Sequence, residues 1–205
     1  MRPINTMTHI KTLLVAVVVI LLVPVARADG PKDDDAMRLD VAPRTPFAKG
    51  TKTFQAEASY TQHIRYSVEE MTSGGVGVGY YIFDNHCLTL MANGFHMNQA
   101  FDRGAEAGSV TVMGRWHIFN PGRLTFYLDG GGGYSWANEA IPIGGTTYNF
   151  NARVGPGMGY QVDDNIYLIG GARYFHLSNG KQHGEGKNPG YDGVEFYVGM
   201  LFAIR

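Results

Sequence analysis

Three residues near the C-terminus supply a base, a nucleophile and an acid. His176 and Ser178 lie in the run Tyr174-Phe175-His176-Leu177-Ser178-Asn179, and Asp192 follows the polar stretch that ends Asn188-Pro189-Gly190-Tyr191. In an extended strand, residues two apart share a face with α-carbons about 6.5–7 Å apart, a gap that a histidine and a serine side chain bridge. If the chain then turns back as a hairpin, Asp192 comes to lie across from them on that face. A serine hydroxyl bonded to an imidazole that is oriented by a carboxylate is the arrangement of a nucleophilic hydrolase acting on acyl groups. Asn179, directly after the serine, is the expected donor to the oxyanion of a tetrahedral intermediate. Asn188-Pro189-Gly190 is expected to set the turn that delivers Asp192.

The rest of the chain must form the frame that holds this hairpin. Arg2 and Lys11 precede an apolar run from Leu13 to Val23 and then Ala26-Arg27-Ala28. This is the pattern of a secretory leader with a small-x-small cleavage site, expected over residues 1–28. The run is shorter than the roughly 20 apolar residues of a spanning helix, and no later segment approaches that length. Loss of the leader leaves 177 residues with 14 basic and 18 acidic side chains, a formal charge of −4, so a nucleic-acid partner is not expected. The single cysteine, Cys87, excludes an intrachain disulfide.

Residues 29–50 are charged and proline-containing and are expected to form a periplasmic N-terminal segment. From 51 onward, 28 glycines in the whole chain, 12% aromatics and weak helical periodicity point to an all-β domain over 51–205. Strands are expected near 53–62, 73–83, 87–97, 108–118, 124–137, 146–160, 166–178 and 191–203, each near or above the roughly 9–11 residues of a tilted membrane-spanning strand. Asp84-Asn85-His86, Asn120-Pro121-Gly122 and Asp163-Asp164-Asn165 read as tight turns. The connections near 63–72, 98–107, 138–145 and 179–190 read as longer loops. Short turns on one rim and longer loops on the other describe an eight-stranded antiparallel transmembrane β-barrel.

Side-chain parity carries this reading further. In the sixth strand Tyr148, Phe150, Ala152, Val154 and Met158 share one face, and Asn149, Asn151 and Arg153 share the other. An apolar outside and a polar inside is the membrane arrangement, the reverse of a soluble lipocalin-like barrel. The same parity puts Arg173 and Glu195 in the lumen as expected partners. It turns His176, Ser178 and Asp192 outward, where polar groups facing hydrocarbon call for a reason. Trp116, Trp136, Tyr80, Tyr81 and Tyr134 suit interfacial aromatic belts. The strand ending departs from a common barrel pattern, because Phe202 is followed by Ala203-Ile204-Arg205.

The His-x-Ser-Asn of residues 176–179, followed by Asn-Pro-Gly at 188–190 and an acid at 192, resembles the lipid A 3-O-deacylase family, the PagL type. The resemblance is strongest over residues 172–204. It implies a barrel in the bacterial outer membrane, lipid A or lipopolysaccharide as substrate, and hydrolysis of the 3-O-linked acyl chain. It implies His176 as base, Ser178 as nucleophile and Asp192 as acid, with Asp standing where the family pattern has Glu. The loop from Gly180 to Lys187 carries Lys181, His183 and Lys187 but also Glu185, and two readings of it stand side by side: electrostatic contact with lipid A phosphates, or a solvated loop with no ligand. Association as a homodimer is left open, and no cofactor is implied.

Other features carry less. His86, His96, His117 and His183 share no metal-ligand spacing. Gly130–Gly133 lacks the lysine and helix of a phosphate loop and reads as close strand packing. The alternative functional reading is a non-enzymatic eight-stranded surface barrel whose loops bind a partner.

Overall fold

The computed structural model describes residues 46–65, 69–182, 184, 186 and 188–204. The expected leader, and the N-terminal segment as far as residue 45, lie outside them. Eight antiparallel strands close in sequence order: β1 Lys52–His63, β2 Glu70–Phe83, β3 His86–Gln99, β4 Arg103–Phe119, β5 Leu124–Ile141, β6 Thr146–Asp163, β7 Ile166–Ser178 and β8 Tyr191–Ile204. Closure is made by β1 against β8, which run in register from Lys52 opposite Ile204 to His63 opposite Gly193. Every strand therefore has two neighbours and the sheet has no free edge. Phe202 sits opposite Phe54 within that ladder, and Ile204 continues it.

The strands run further than expected toward one rim. β4 begins at Arg103 rather than near 108, β5 continues to Ile141, and β2 begins at Glu70. The connections on that rim shrink to 64–69, 100–102 and 142–145, and the segment 179–190 is by far the longest. The ladders explain the extension, because Glu106 pairs with His96 and Arg103 with Gln99, continuing β4 through polar residues that read as loop.

Alternation divides the wall into two chemistries. Val76, Val78, Leu88, Leu90, Val110 and Val112 are among the large apolar residues exposed on the outside. Inside, the lumen is filled in three layers. Two apolar clusters, one around Tyr81, Tyr127, Tyr167 and Leu201 and one around Met71, Phe95, Phe175, Leu177 and Tyr191, lie at the two ends. Between them Arg115, Arg153 and Arg173 meet Glu57, Asp129 and Glu195, all buried. The inside is thus less uniformly polar than simple alternation implies.

One expectation about a particular side chain is revised by this packing, and a second is met and extended. Tyr81 is fully buried, and its hydroxyl donates to Nε2 of His117 at 2.9 Å, so it belongs to the lumen and not to an aromatic belt. Neighbouring Tyr80 and Tyr81 must face opposite sides of a strand. Tyr80, Trp116, Tyr134 and Trp136 are exposed on the outer face. Arg173 does approach Glu195, at 3.5 Å, but its closer partners are Asp129 at 2.6 Å and Glu57 at 3.0 Å. The glycine run in β5 serves close packing: a Cβ at Gly131 or Gly133 would collide with the carbonyl oxygens of Val112 or Val110 on β4.

Candidate active site

β7 ends at Ser178 and β8 begins at Tyr191, so the site occupies the last turn of strand before the longest loop. The hairpin is held from inside. Phe175, Leu177 and Tyr191 are buried in the apolar cluster at this end of the lumen, with the rings of Phe175 and Tyr191 in edge contact at 6.1 Å. Because they point in, the alternate residues Tyr174, His176, Ser178 and Asp192 point out. The register sets His176 opposite Asp192 and Leu177 opposite Tyr191.

On the outer face the three expected residues form one chain of hydrogen bonds. His176 Nδ1 donates to Asp192 Oδ1 at 2.7 Å. His176 Nε2 lies 3.0 Å from Ser178 Oγ. An ionised carboxylate only accepts, so its contact with Nδ1 fixes the proton there and leaves the Nε2 lone pair turned to the serine hydroxyl. The His176 and Asp192 side chains are 39% and 32% exposed, open to a ligand approaching from the outer face. Ile64 donates its backbone N–H to the Asp192 carbonyl at 2.9 Å, tying this end of β8 to the chain leaving β1.

Asn179 and Asn188 close the base of the loop. Asn188 Oδ1 accepts the Asn179 backbone N–H at 2.9 Å. The Asn179 side chain is buried, donates to Thr146 Oγ1 at 3.1 Å and accepts the Lys181 backbone N–H at 3.0 Å. Odd parity turns this carboxamide away from the serine face. The side chain expected to donate to an oxyanion is thus engaged at the base of the loop instead. Of the loop cations, Lys181 is exposed, and His183 and Lys187 lie outside the described residues.

Sequence reasoning missed Tyr174. Its hydroxyl donates to Asp192 Oδ1, the same oxygen that meets His176. Tyr174, His176 and Ser178 form a single outward ladder at spacings of two, and that was the available signal. Toward β6 the register places Ala152 beside His176 and Phe150 beside Ser178. Gly132 of β5 lies beyond Ala152, and Tyr134 beyond Phe150. The outer wall there is a low strip, Ala152 and Gly132, flanked by the T-shaped Tyr134–Phe150 pair at 5.6 Å on one side and exposed Val154 on the other.

No cluster of three or more histidine, cysteine, aspartate or glutamate side chains suited to a metal ion occurs among the described residues. No helix among them is long and apolar enough to cross a membrane, which says nothing of crossing by strands.

Comparison with known proteins adds the following. The family described as lipid A 3-O-deacylase (PagL) matches residues 54–201. A comparison with curated protein sequences found no match. Among solved structures, Neisserial surface protein A aligns over 74% of this chain and 95% of its own, with a TM-score of 0.53 and 15% identity. The N-terminal β-barrel domain of Pseudomonas aeruginosa OprF aligns over 75% of this chain and 100% of its own, with a TM-score of 0.47 and 18% identity. Ail of Yersinia pestis aligns over 76% and 99%, with a TM-score of 0.42 and 12% identity. The likeness to the first of these concerns the fold.

Proposed function

Since the chain belongs to the lipid A 3-O-deacylase family, a family of the bacterial outer membrane whose substrate is lipid A, we propose that it hydrolyses the 3-O-linked acyl ester by a serine mechanism, with Ser178 as nucleophile, His176 as general base and Asp192 as the orienting acid. The observation that carries this reading is the unbroken hydrogen-bond chain from Asp192 through His176 to Ser178 on the outer wall.

In the first half-reaction Ser178 Oγ adds to the ester carbonyl as His176 Nε2 takes its proton. The imidazolium beside the Asp192 carboxylate then returns that proton to the departing 3-hydroxyl of lipid A, leaving an acyl-serine. A water molecule, deprotonated by His176 in the same way, adds to the acyl-serine, and the imidazolium returns that proton to Ser178 Oγ as the fatty acid leaves. Asp192 holds the imidazole in the required tautomer and balances its charge at each step, a task commonly worth about 10⁴-fold in rate.

Position favours the same substrate. An acyl ester of a lipid lies at the boundary between hydrocarbon and headgroups, and the outward hairpin at the longest-loop rim stands beside a wall of exposed apolar residues. The strip of Ala152 and Gly132 between Phe150 and Val154 offers the acyl chain a shallow furrow leading away from Ser178. A binding barrel would need none of this alignment between three polar side chains.

The test is mass spectrometry of lipid A from cells making the wild-type or the Ser178→Ala protein, with folding in the outer membrane checked for both. Loss of one 3-hydroxyacyl mass with the wild type alone is expected. Equal loss with both proteins would remove Ser178 from the mechanism, and loss with neither would favour a partner-binding barrel.

A further inference from the structure

Asp192 is a short acid in a half-buried position, and its reach to His176 depends on which rotamer it holds. A carboxylate at the edge of hydrocarbon also needs more than one donor, since each lone pair left without a partner in a poorly solvated place is costly. Its aspartate side chain has one methylene fewer than a glutamate, so a small rotation about its χ angles moves Oδ1 out of line with the imidazole.

Tyr174 answers both needs. It lies two residues before His176 on the same outward face of β7, opposite Val194 and so diagonal to Asp192 across the hairpin. Its hydroxyl donates to Asp192 Oδ1, the oxygen that His176 Nδ1 also meets at 2.7 Å. Two donors converging from adjacent rungs of one strand define both the rotamer and the tilt of the carboxylate. Tyr174 as a residue is 43% exposed, so packing alone does not account for the placement of its hydroxyl.

Resting on the triad reading above, we propose that Tyr174 is a positioning residue that clamps Asp192 toward His176, making the outer-wall site a linear array of Tyr174, Asp192, His176 and Ser178. Tyr174 acts through Asp192 and needs no contact with the reacting ester. The array lets an aspartate serve where the strand geometry leaves its carboxylate little margin.

The competing role for a lipid-facing tyrosine is an interfacial anchor, whose loss would affect insertion and stability but not the chemistry of Ser178. A thermodynamic cycle separates the two. The rate at which Ser178 is modified by a lipophilic fluorophosphonate is measured on detergent-folded wild type, Tyr174→Phe, Asp192→Ala and the double variant, alongside kcat and KM for lipid A hydrolysis. Fluorophosphonate labelling reads nucleophile activation directly, and long incubations keep slow variants measurable. Expected is a fall of about 10- to 100-fold in labelling rate and kcat for Tyr174→Phe with KM unchanged, and no further fall when Tyr174→Phe is added to Asp192→Ala.

Equal losses in both backgrounds would overturn the clamp and leave a structural tyrosine, and full activity in Tyr174→Phe would overturn it outright. Ser178→Ala is the control on the premise. If it hydrolyses lipid A normally, the triad itself fails; if it is inactive and Tyr174→Phe is not impaired, only the Tyr174 proposal falls.

Discussion

Asp192 and Glu195 lie three residues apart on β8 and end on opposite sides of the barrel wall. Asp192 faces outward, with Oδ1 2.7 Å from His176 Nδ1. Glu195 is fully buried in the lumen, accepts a hydrogen bond from Ser59 Oγ at 2.9 Å and lies 3.4 Å from Arg153. An odd spacing in a strand reverses the face, so the two carboxylates cannot serve the same site.

That separation yields opposite phenotypes. Asp192→Asn removes the charge that holds the imidazole and is expected to lower kcat by about 10³- to 10⁴-fold while the barrel unfolds at its usual temperature. Glu195→Gln is expected to keep substantial activity in the folded protein but to cost stability on the order of 3 kcal/mol, because Arg153 and Arg173 lose a buried counter-charge. Deacylation rates and heat-dependent gel migration of both variants check this. A larger loss of activity in folded Glu195→Gln than in Asp192→Asn would sink the assignment of the acid.

Parity along β6, β7 and β8 made both the barrel and the outward trio legible in the sequence, because Arg153, Arg173 and Glu195 fall on the inward parity while the outward parity is almost entirely apolar, even though Phe175, Leu177, Tyr191 and Leu201 also turn inward. His176, Ser178 and Asp192 then stood out as exceptions. The rim boundaries were not legible, since Glu106 and Arg103 in β4 are polar on a stretch that only pairing with β3 makes extended. Nor could a hairpin reveal that Arg173 pairs with Glu57 of β1 and Asp129 of β5, for those contacts exist only once the barrel closes. Tyr174 was hidden by its type: a tyrosine on the lipid face reads as belt until its hydroxyl is seen on Asp192.

The closed lumen makes Arg173 a keystone of stability. Its guanidinium is bonded to both Glu57 and Asp129 and stacks over the Tyr197 ring with 3.5 Å to the centroid. Arg173→Met leaves two buried carboxylates short of a cation and is expected to destabilise the barrel by about 3–5 kcal/mol. Adding Glu57→Gln to that variant removes one of the uncompensated charges and should recover part of the loss. Denaturant or thermal unfolding of the single and double variants measures the difference; strict additivity would argue against the pairing.

The furrow beside the serine leads to a prediction about substrate. Ala152 is exposed next to His176, with Gly132 beyond it. Ala152→Phe raises the floor to the height of Phe150 without entering the lumen, so folding should be unaffected. Hydrolysis of substrates with long acyl chains should fall about tenfold or more, as expected when a reacting group is held out of place, with a smaller effect on short-chain esters. Equal rates on long and short chains would show that the acyl chain takes another path.

Asn188 links the loop to the nucleophile's end of β7. Its Oδ1 accepts the Asn179 N–H at 2.9 Å, one residue beyond Ser178. Asn188→Ala leaves that donor without its partner, a local cost of about 1–3 kcal/mol if water does not replace it. The variant should show slower deacylation and faster proteolytic cleavage between 179 and 190, with the barrel intact. Asn188→Asp keeps an acceptor at the same place and should restore most of both properties. If the alanine and aspartate variants are equally impaired, the hydrogen bond accepted by the Asn188 side chain is not what the effect on deacylation rests on.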